Sequence, residues 1–418
     1  MNKGRMNRAD AFLARFKQIG AMPNGGGVTR LGYSAEERAA HTELGNLVDG
    51  LDVELEVDAA GNTFVFNRQA CHGKQVVLVG SHLDTVPCGG NFDGVTGVVA
   101  GLEIFHLLAE HGLLHTVPFK LMACACEESS RFSVSSIGMR IALGMFDART
   151  LTQLSDAGGT TLYDAMEQTG LRPSLAGDCR SVCPSHTKAF LELHVEQGPV
   201  LDAESLPIAL VTAISAPIRF CVKVFGEAQH SGATPMKRRR DALVSASRLI
   251  AFVDSTARSH GAETCVATIG RMELSPNATN VVPGSVRLWV DVRDVDCARR
   301  NQLANDIEQF VRDCETTDIC LWEVEKLQEE EPQVLSGIAY DALAKALSDV
   351  RTPCRRIVSG AGHDSLFTAR AGIPTGMLFV PSIGGISHQP GEDTAIEDIE
   401  LGIDVLYRAV LELGLNQP

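Results

Sequence analysis

The chain has 418 residues, with 37 Lys and Arg against 52 Asp and Glu, a formal net charge of −15. That length suits two or three domains and a core that needs neither disulfide nor metal merely to fold. Apolar residues make up 44% and charged residues 21%, which excludes disordered, collagen-like and coiled-coil chains, while the acidic balance argues against nucleic acid as a partner.

Apolar spacing predicts helices over residues 7–19 and 35–51, with the glycines Gly25 to Gly27 in the loop between them. VVLVG (76–80) reads as a fully buried strand, and the loop SHLDTVPCGGNFDG follows it. Residues 95–111 place Val95, Val98, Val99, Leu102, Phe105 and Leu108 on one helical face. FKLMACA (119–125) and AFLELHV (189–195) are further buried strands, each followed by a polar segment. Such strand and helix alternation predicts an α/β fold with a mostly parallel sheet covered by helices. Ligands of such sheets bind beyond the carboxyl ends of the strands, where these polar loops sit.

The middle of the chain has a different order. A strand at 219–227 precedes a helix at 241–260, strands at 264–272 and 285–293, a helix at 298–314 and a strand at 318–327. That order, βαββαβ, is the ferredoxin-like split motif. Helix and strand alternation then resumes with a helix near 337–349, a strand at 373–380 and a helix near 396–413. The expected organisation is a catalytic domain of residues 1–212 and 330–418, interrupted by an inserted lid or dimerisation domain over 213–329.

No apolar run reaches the roughly 18 residues that a membrane span needs. The opening MNKGRMNRADAFLARF has no apolar leader segment, so the expected location is cytoplasmic. Twelve Cys are scattered without any CxxC pair, as expected of reduced, buried thiols.

Five polar segments stand out: His82-Leu-Asp84, Asp93, Glu127-Glu128, His194 and His388. Each follows an apolar strand or lies in a loop marked by Gly or Pro. Imidazoles mixed with carboxylates are the ligand set of Zn²⁺, Mn²⁺ and similar ions. Taken singly, each also reads as a core histidine or a solvated acidic pair.

The segments GSHLDTVPCGGNFDGVTG, ACEESSRF, ELHVEQGPVLD, GEAQHSGATPM, SPNATNVVPG, VDVRD, SGAGHDS and GISHQPGEDT occur in this order from about Gly27 to Thr394. Together they resemble the di-zinc amidohydrolases of the aminoacylase and carboxypeptidase clan. Within it they are most similar to the hydantoinase/carbamoylase type: N-carbamoyl-L-amino-acid hydrolases, allantoate amidohydrolases and β-ureidopropionases.

The resemblance implies two divalent metal ions per subunit (Zn²⁺, or Mn²⁺ or Co²⁺). His82 and His194 would hold the first ion, Glu128 and His388 the second, and Asp93 would bridge both. Asp84 would orient His82, and Glu127 would act as general base and then general acid. His230 would reach a neighbouring subunit's site as an oxyanion donor, which implies a homodimer. His230, Asn280, Arg293, Gln197 and the loop of Gly360, Gly362 and His363 would meet the substrate. The implied reaction is hydrolysis of the ureido C–N bond of an N-carbamoyl-L-amino acid, a small ureido acid, releasing ammonia and CO₂. Allantoate is the nearest rival substrate. β-Ureidopropionase, di-zinc aminoacylase or peptidase activity, and a non-catalytic binding protein are more distant readings. Two positions depart from the pattern: Ser129 stands where Gly is frequent, and Ser231 where Ala is frequent.

Overall fold

In the computed structural model, which describes residues 3–416, the expected strands and helices are present and short elements are added between them. In chain order the strands are β1 (Glu54–Val57), β2 (Thr63–Phe66), β3 (Val76–His82), β4 (Phe119–Cys124), β5 (Thr187–Val195), β6 (Ala209–Ile214), β7 (Ala216–Phe225), β8 (Gln229–His230), β9 (Val266–Ser275), β10 (Val281–Val282), β11 (Ser285–Asp294), β12 (Leu321–Glu329), β13 (Gln333–Val334), β14 (Arg355–Ser359) and β15 (Thr375–Val380).

The chain divides into two units, one of residues up to Thr212 and from Leu335 on, the other Ala213–Val334. The first is built on a mixed sheet of order β1-β2-β4-β3-β5-β15-β6, with β14 also on β6. Its centre, β4-β3-β5-β15, is parallel throughout. Antiparallel pairing begins only outside those four strands, at β2 and at β6. The centre is parallel because each of its strands is buried on both faces: Val76–His82 is buried at every position. The helices Val95–Glu110, Ile338–Val350 and Ile396–Leu415 supply Val98, Leu102, Leu343 and Leu406 to the core that covers it. The outer strands are shorter or more polar. β1, with the sequence ELEV, is mostly exposed, as suits a sheet edge.

The second unit is a four-stranded antiparallel sheet of order β12-β7-β11-β9 with the helices Ala242–Ser259 and Cys297–Thr317. Alternate residues of β7 (Ile218, Phe220, Val222, Val224) and of β11 (Val286, Leu288, Val290, Val292) meet Leu249 and Ile307 of the helices in one core. Asp241 and Asp296 cap the two helices through their side chains. The chain leaves this unit after Val334, later than the boundary expected at 329. The cause is local: Glu330 N–H still bonds Pro217 O, and β13 pairs with Ala213 and Ile214.

Among the described residues no helix is long and apolar enough to cross a membrane. All twelve cysteines are unpaired thiols.

Candidate active site and metal centre

The four central strands deliver the site residues at their carboxyl ends. His82 ends β3, Glu127 and Glu128 follow β4, His194 lies near the end of β5, and His388 follows β15. Asp93 comes from the loop between β3 and the helix Val95–Glu110. That helix starts at Gly94 with φ 68°, and a Cβ there would lie 2.5 Å from the His82 ring. Only glycine lets the Asp93 loop approach the imidazole this closely.

Three groups of three ligand atoms form among the described residues: Glu192, His194 and His363 make one, and Asp93 belongs to both of the others, with His82 and His194 in the first and with Glu128 and His388 in the second. In the first, Asp93 Oδ1 lies 3.3 Å from His82 Nε2 and 3.2 Å from His194 Nε2. In the second, His388 Nε2 lies 3.1 Å from Asp93 Oδ2 and 3.2 Å from Glu128 Oε1.

The hydrogen bonds behind the first group define its chemistry. His82 Nδ1 meets the Asp84 carbonyl at 3.1 Å, and His194 Nδ1 meets the Val195 carbonyl at 2.9 Å. A carbonyl only accepts, so each neutral ring carries its proton on Nδ1 and turns the Nε2 lone pair inward. The backbone N–H of Gly94 points at His194 Nε2 from 3.2 Å, as it would at an acceptor. Both lone pairs face Asp93 Oδ1, which is buried and has no hydrogen-bond donor. Lone pairs that converge on a buried carboxylate oxygen repel unless a proton or a metal cation lies among them. A tetrahedral ion with bonds of about 2.0 Å separates its ligand atoms by about 3.3 Å, which is the spacing present. The donor set therefore fits a two-metal centre of divalent ions bridged by one carboxylate.

The charge balance points the same way. Asp84, Asp93, Glu127, Glu128 and Glu392 are all at most 8% exposed. Burial pushes the Glu127 and Glu128 carboxyls up, Glu127 well above the usual range. Contact with Asp93 and Glu128 pushes the His388 imidazole up to about 11. Burial also pushes the Asp93 carboxyl up, but His194, His388 and His82 outweigh that and hold it well below the usual range, so its carboxylate sits where positive charge is favoured.

Glu127 is oriented from two sides. Its carboxylate Oε1 accepts the Ser136 hydroxyl at 3.0 Å, and its Oε2 lies 4.0 Å from His82 Nε2. Its backbone N–H goes to Asp84 Oδ1, and that of Glu128 to Asp84 Oδ2. Asp84 thus acts on His82 mainly through its carbonyl, since the carboxylate is farther away at 3.4 Å. Five residues of these loops, Cys88, Cys126, Ser136, Gln197 and His388, have φ between 51° and 59° without being glycine. Left-handed backbone of this kind costs about 1–3 kcal/mol per residue and concentrates where loops aim functional groups.

The other expected residues fall in different places. Gln197 Nε2 donates to Asp93 Oδ2 at 2.7 Å and lies 3.2 Å from His388 Nε2. Gly362 is partly buried and Gly360 exposed. His363 is buried against His194, ring centroids 4.6 Å apart, with Nε2 3.0 Å from Ser359 Oγ. His230, Asn280 and Arg293 belong to the second unit. His230 is exposed, and its Nδ1 accepts the N–H groups of Gly232 and Ala233, which leaves the ring proton on Nε2. The Asn280 carbonyl accepts the Ser231 N–H at 2.9 Å, tying its turn to the His230 loop. Arg293 gives its Nε and Nη2 to Asp291 at 2.8 and 3.2 Å.

Three side chains of the site were not anticipated: Ser136, Ser387 and Glu392. Ser387 Oγ is 3.1 Å from Asp93 Oδ2, and Glu392 Oε1 accepts the Asp93 N–H at 3.0 Å. Glu392 lies inside the segment GISHQPGEDT, whose turn residues make a carboxylate read as solvated.

The profile of Peptidase family M20/M25/M40 matches residues 78–412. An N-carbamoyl-L-amino acid amidohydrolase of Geobacillus stearothermophilus is 36% identical over 405 residues, covering 97% of this chain and 98% of that protein. An allantoate amidohydrolase of Escherichia coli K12 is 35% identical over 407 residues, 96% of each chain. The crystal structure of a hydantoinase/carbamoylase family amidase from Burkholderia multivorans superposes with a TM-score of 0.86 at 33% identity, covering 99% of this chain and 98% of that one. The likeness expected from the eight motifs thus extends end to end. The family profile runs from β3 into the last helix and takes in every residue of all three ligand groups, so the chain is a member of peptidase family M20/M25/M40.

Proposed function

We propose that this protein hydrolyses the ureido C–N bond of an N-carbamoyl-L-amino acid, using two divalent ions held by His82, His194, Asp93, Glu128 and His388. The observation that carries the reading is the Asp93 carboxylate, whose two oxygens face two separate histidine-containing groups, with Glu127 beside them. Ions bound there would polarise the ureido carbonyl and acidify a bound water. Zn²⁺, Mn²⁺ and Co²⁺ all suit the imidazole and carboxylate ligands.

Glu127 takes a proton from the attacking water and returns it to the leaving nitrogen. The Ser136 hydroxyl holds one oxygen of its carboxylate and leaves the other turned toward His82. The oxyanion needs a donor aimed at it. His230 presents Nε2–H from an exposed loop, and we assign it to the site of a second subunit in a homodimer. We assign Arg293 and Asn280 to the substrate carboxylate and Gln197, beside Asp93 and His388, to the ureido group. Because Asp291 engages the Nε and Nη2 atoms of Arg293, it sets the plane in which the guanidinium meets that carboxylate.

Allantoate is the second reading, supported by the allantoate amidohydrolase among the relatives. The test is ammonia release from N-carbamoyl-L-amino acids, allantoate, N-carbamoyl-β-alanine and a dipeptide, with Mn²⁺, Zn²⁺ or Co²⁺ added. Release from an N-carbamoyl-L-amino acid at the highest kcat/KM is the expected result. Preference for allantoate selects the second reading, and cleavage of the dipeptide alone overturns both.

A further inference from the structure

We propose that Glu392 and Ser387 act as a positioning pair that fixes the orientation of Asp93 and thereby sets the affinity of the metal centre. The inference rests on the two-metal reading above. Glu392 is 6% exposed, in the loop between β15 and the helix Ile396–Leu415. Its Oε1 accepts the backbone N–H of Phe92 at 2.8 Å and of Asp93 at 3.0 Å, joining segments about 300 residues apart in sequence. One carboxylate oxygen thus pins the main chain of the Asp93 loop.

The other oxygen acts on the side chain. Glu392 Oε2 lies 3.1 Å from Ser387 Oγ, and the same hydroxyl lies 3.1 Å from Asp93 Oδ2. Ser387 directly precedes His388, whose Nε2 meets that same Asp93 oxygen at 3.1 Å. A single short segment therefore anchors the Asp93 backbone, holds one of its oxygens and delivers the histidine that shares that oxygen. Asp93 serves two ions only if Oδ1 faces His82 and His194 while Oδ2 faces Glu128 and His388. The Ser387 hydroxyl joins Gln197 Nε2, which donates to Oδ2 at 2.7 Å, in fixing that torsion, and Oδ1 is left without a competing donor. The fit is close: a Cβ on Gly90 would lie 2.3 Å from Glu392 Oε1.

A role in packing alone would lower stability and leave metal affinity unchanged, so the two are separable. The experiment loads full-length protein with Zn²⁺ or Mn²⁺, competes the ions off with a chromophoric chelator, and counts ions per chain. Thermal unfolding of the stripped protein is followed in parallel. Ser387→Ala should hold one ion about tenfold more weakly, and Glu392→Ala about a hundredfold, the range for ligand-supporting contacts. Glu392→Gln keeps an acceptor for the two backbone N–H groups and places an amide donor toward Ser387, so it should recover most of the affinity. Stripped Ser387→Ala should unfold at the parent's temperature. If the parent binds two ions and Ser387→Ala and Glu392→Gln bind them equally well, with Glu392→Ala no weaker, the positioning pair is wrong and the metal centre stands. If the parent binds no divalent ion, the metal reading fails and this inference falls with it.

Discussion

The carboxylate of Asp84 accepts the backbone N–H of Glu127 at 2.9 Å, across 43 residues of chain. Its second oxygen accepts the Glu128 N–H at the same distance, so one side chain at the end of β3 sets the backbone that carries both glutamates. Asp84→Asn must turn an amide NH₂ toward one of those donors, leaving a buried N–H unpaired at a cost of about 1–3 kcal/mol. We expect metal affinity and kcat/KM each to fall about 10- to 100-fold while the fold persists. Chelator competition together with steady-state kinetics reads both, and an Asp84→Asn variant with parental values would show that this backbone needs no such anchor.

Glu127 and Glu128 should part company under substitution. Glu128 Oε1 is one of the three ligand atoms of the group it forms with Asp93 and His388, whereas Glu127 is hydrogen-bonded to Ser136. Glu127→Gln should keep both ions and lose about 10²–10⁴-fold in kcat. Glu128→Gln should lose metal as well. Elemental analysis of both variants decides, and equal metal loss in the two would reverse the assignment.

The parts of this site that sequence made legible are those with a signal of their own. His82, Glu128 and His194 each sit at the end of an apolar run such as VVLVG, where the buried strand fixes where the next polar residue must emerge, while Asp93 and His388 lie in loops marked by Gly and Pro. Alternation in RFCVKVFGE likewise marked β7 and its buried face. The residues that hold the ligands have no such mark. Ser136 gains its role only from a left-handed turn that brings its hydroxyl back to Glu127. Glu37, inside a surface helix by periodicity, is fully buried because its carboxylate accepts the N–H groups of Tyr33 and Cys126. Arg30 is buried too, donating to the carbonyls of Phe16, Ile19 and Leu83 under the β3 loop. The Glu37 to Cys126 and Arg30 to Leu83 contacts join segments that lie far apart in the chain, the others depend on turns between neighbouring elements, and no apolar periodicity encodes either kind. β1 escaped notice for another reason: an edge strand with two glutamates shows little apolar contrast.

The homodimer reading is tested by complementation. His230→Ala and Glu127→Gln should each be nearly inactive alone. If His230 donates to the partner's site, a heterodimer of the two has one intact site and recovers up to half the parental turnover per site pair. Subunit exchange verified by native mass spectrometry, followed by an ammonia assay, measures this. Verified heterodimers without activity would place His230 in its own subunit's site or outside both.

Asp294, beside Arg293, gives a pH signature to the second unit. Burial pushes its carboxyl up, but hydrogen bonds from Arg299, the Asp296 N–H and Thr264 outweigh that and hold it down at about 2. The unfolded chain titrates near the ordinary value of about 3.9, so between the two values the unfolded state binds more protons. Its contribution is therefore complete above about pH 4 and is lost as pH falls toward 2. The stability of the parent minus that of Asp294→Asn, from urea unfolding at a series of pH values, should rise across that window and then level off. A difference that stays flat from pH 2 to 5 would mean the carboxylate is not held down.

Arg293 tests the substrate class. N-carbamoyl amino acids and allantoate both place a carboxylate near the scissile ureido group. In the proposed reaction a guanidinium held in plane by Asp291 would receive that carboxylate and so fix the ureido carbonyl for attack, which would lower the barrier as well as strengthen binding. Lys keeps the charge and loses the planar fork, so Arg293→Lys should still be strongly impaired. Loss of such a charge-assisted contact costs roughly 2–5 kcal/mol, or about 30- to several-thousand-fold in kcat/KM. The fold should tolerate the change, because Arg219 Nε remains 2.8 Å from Asp291 and keeps that carboxylate paired. Substrate analogues with the carboxylate amidated should be poor for the parent, and Arg293→Ala should penalise them little further. If the parent hydrolyses the amide as fast as the acid, Arg293 is no carboxylate clamp, and neutral ureas become the better substrate class.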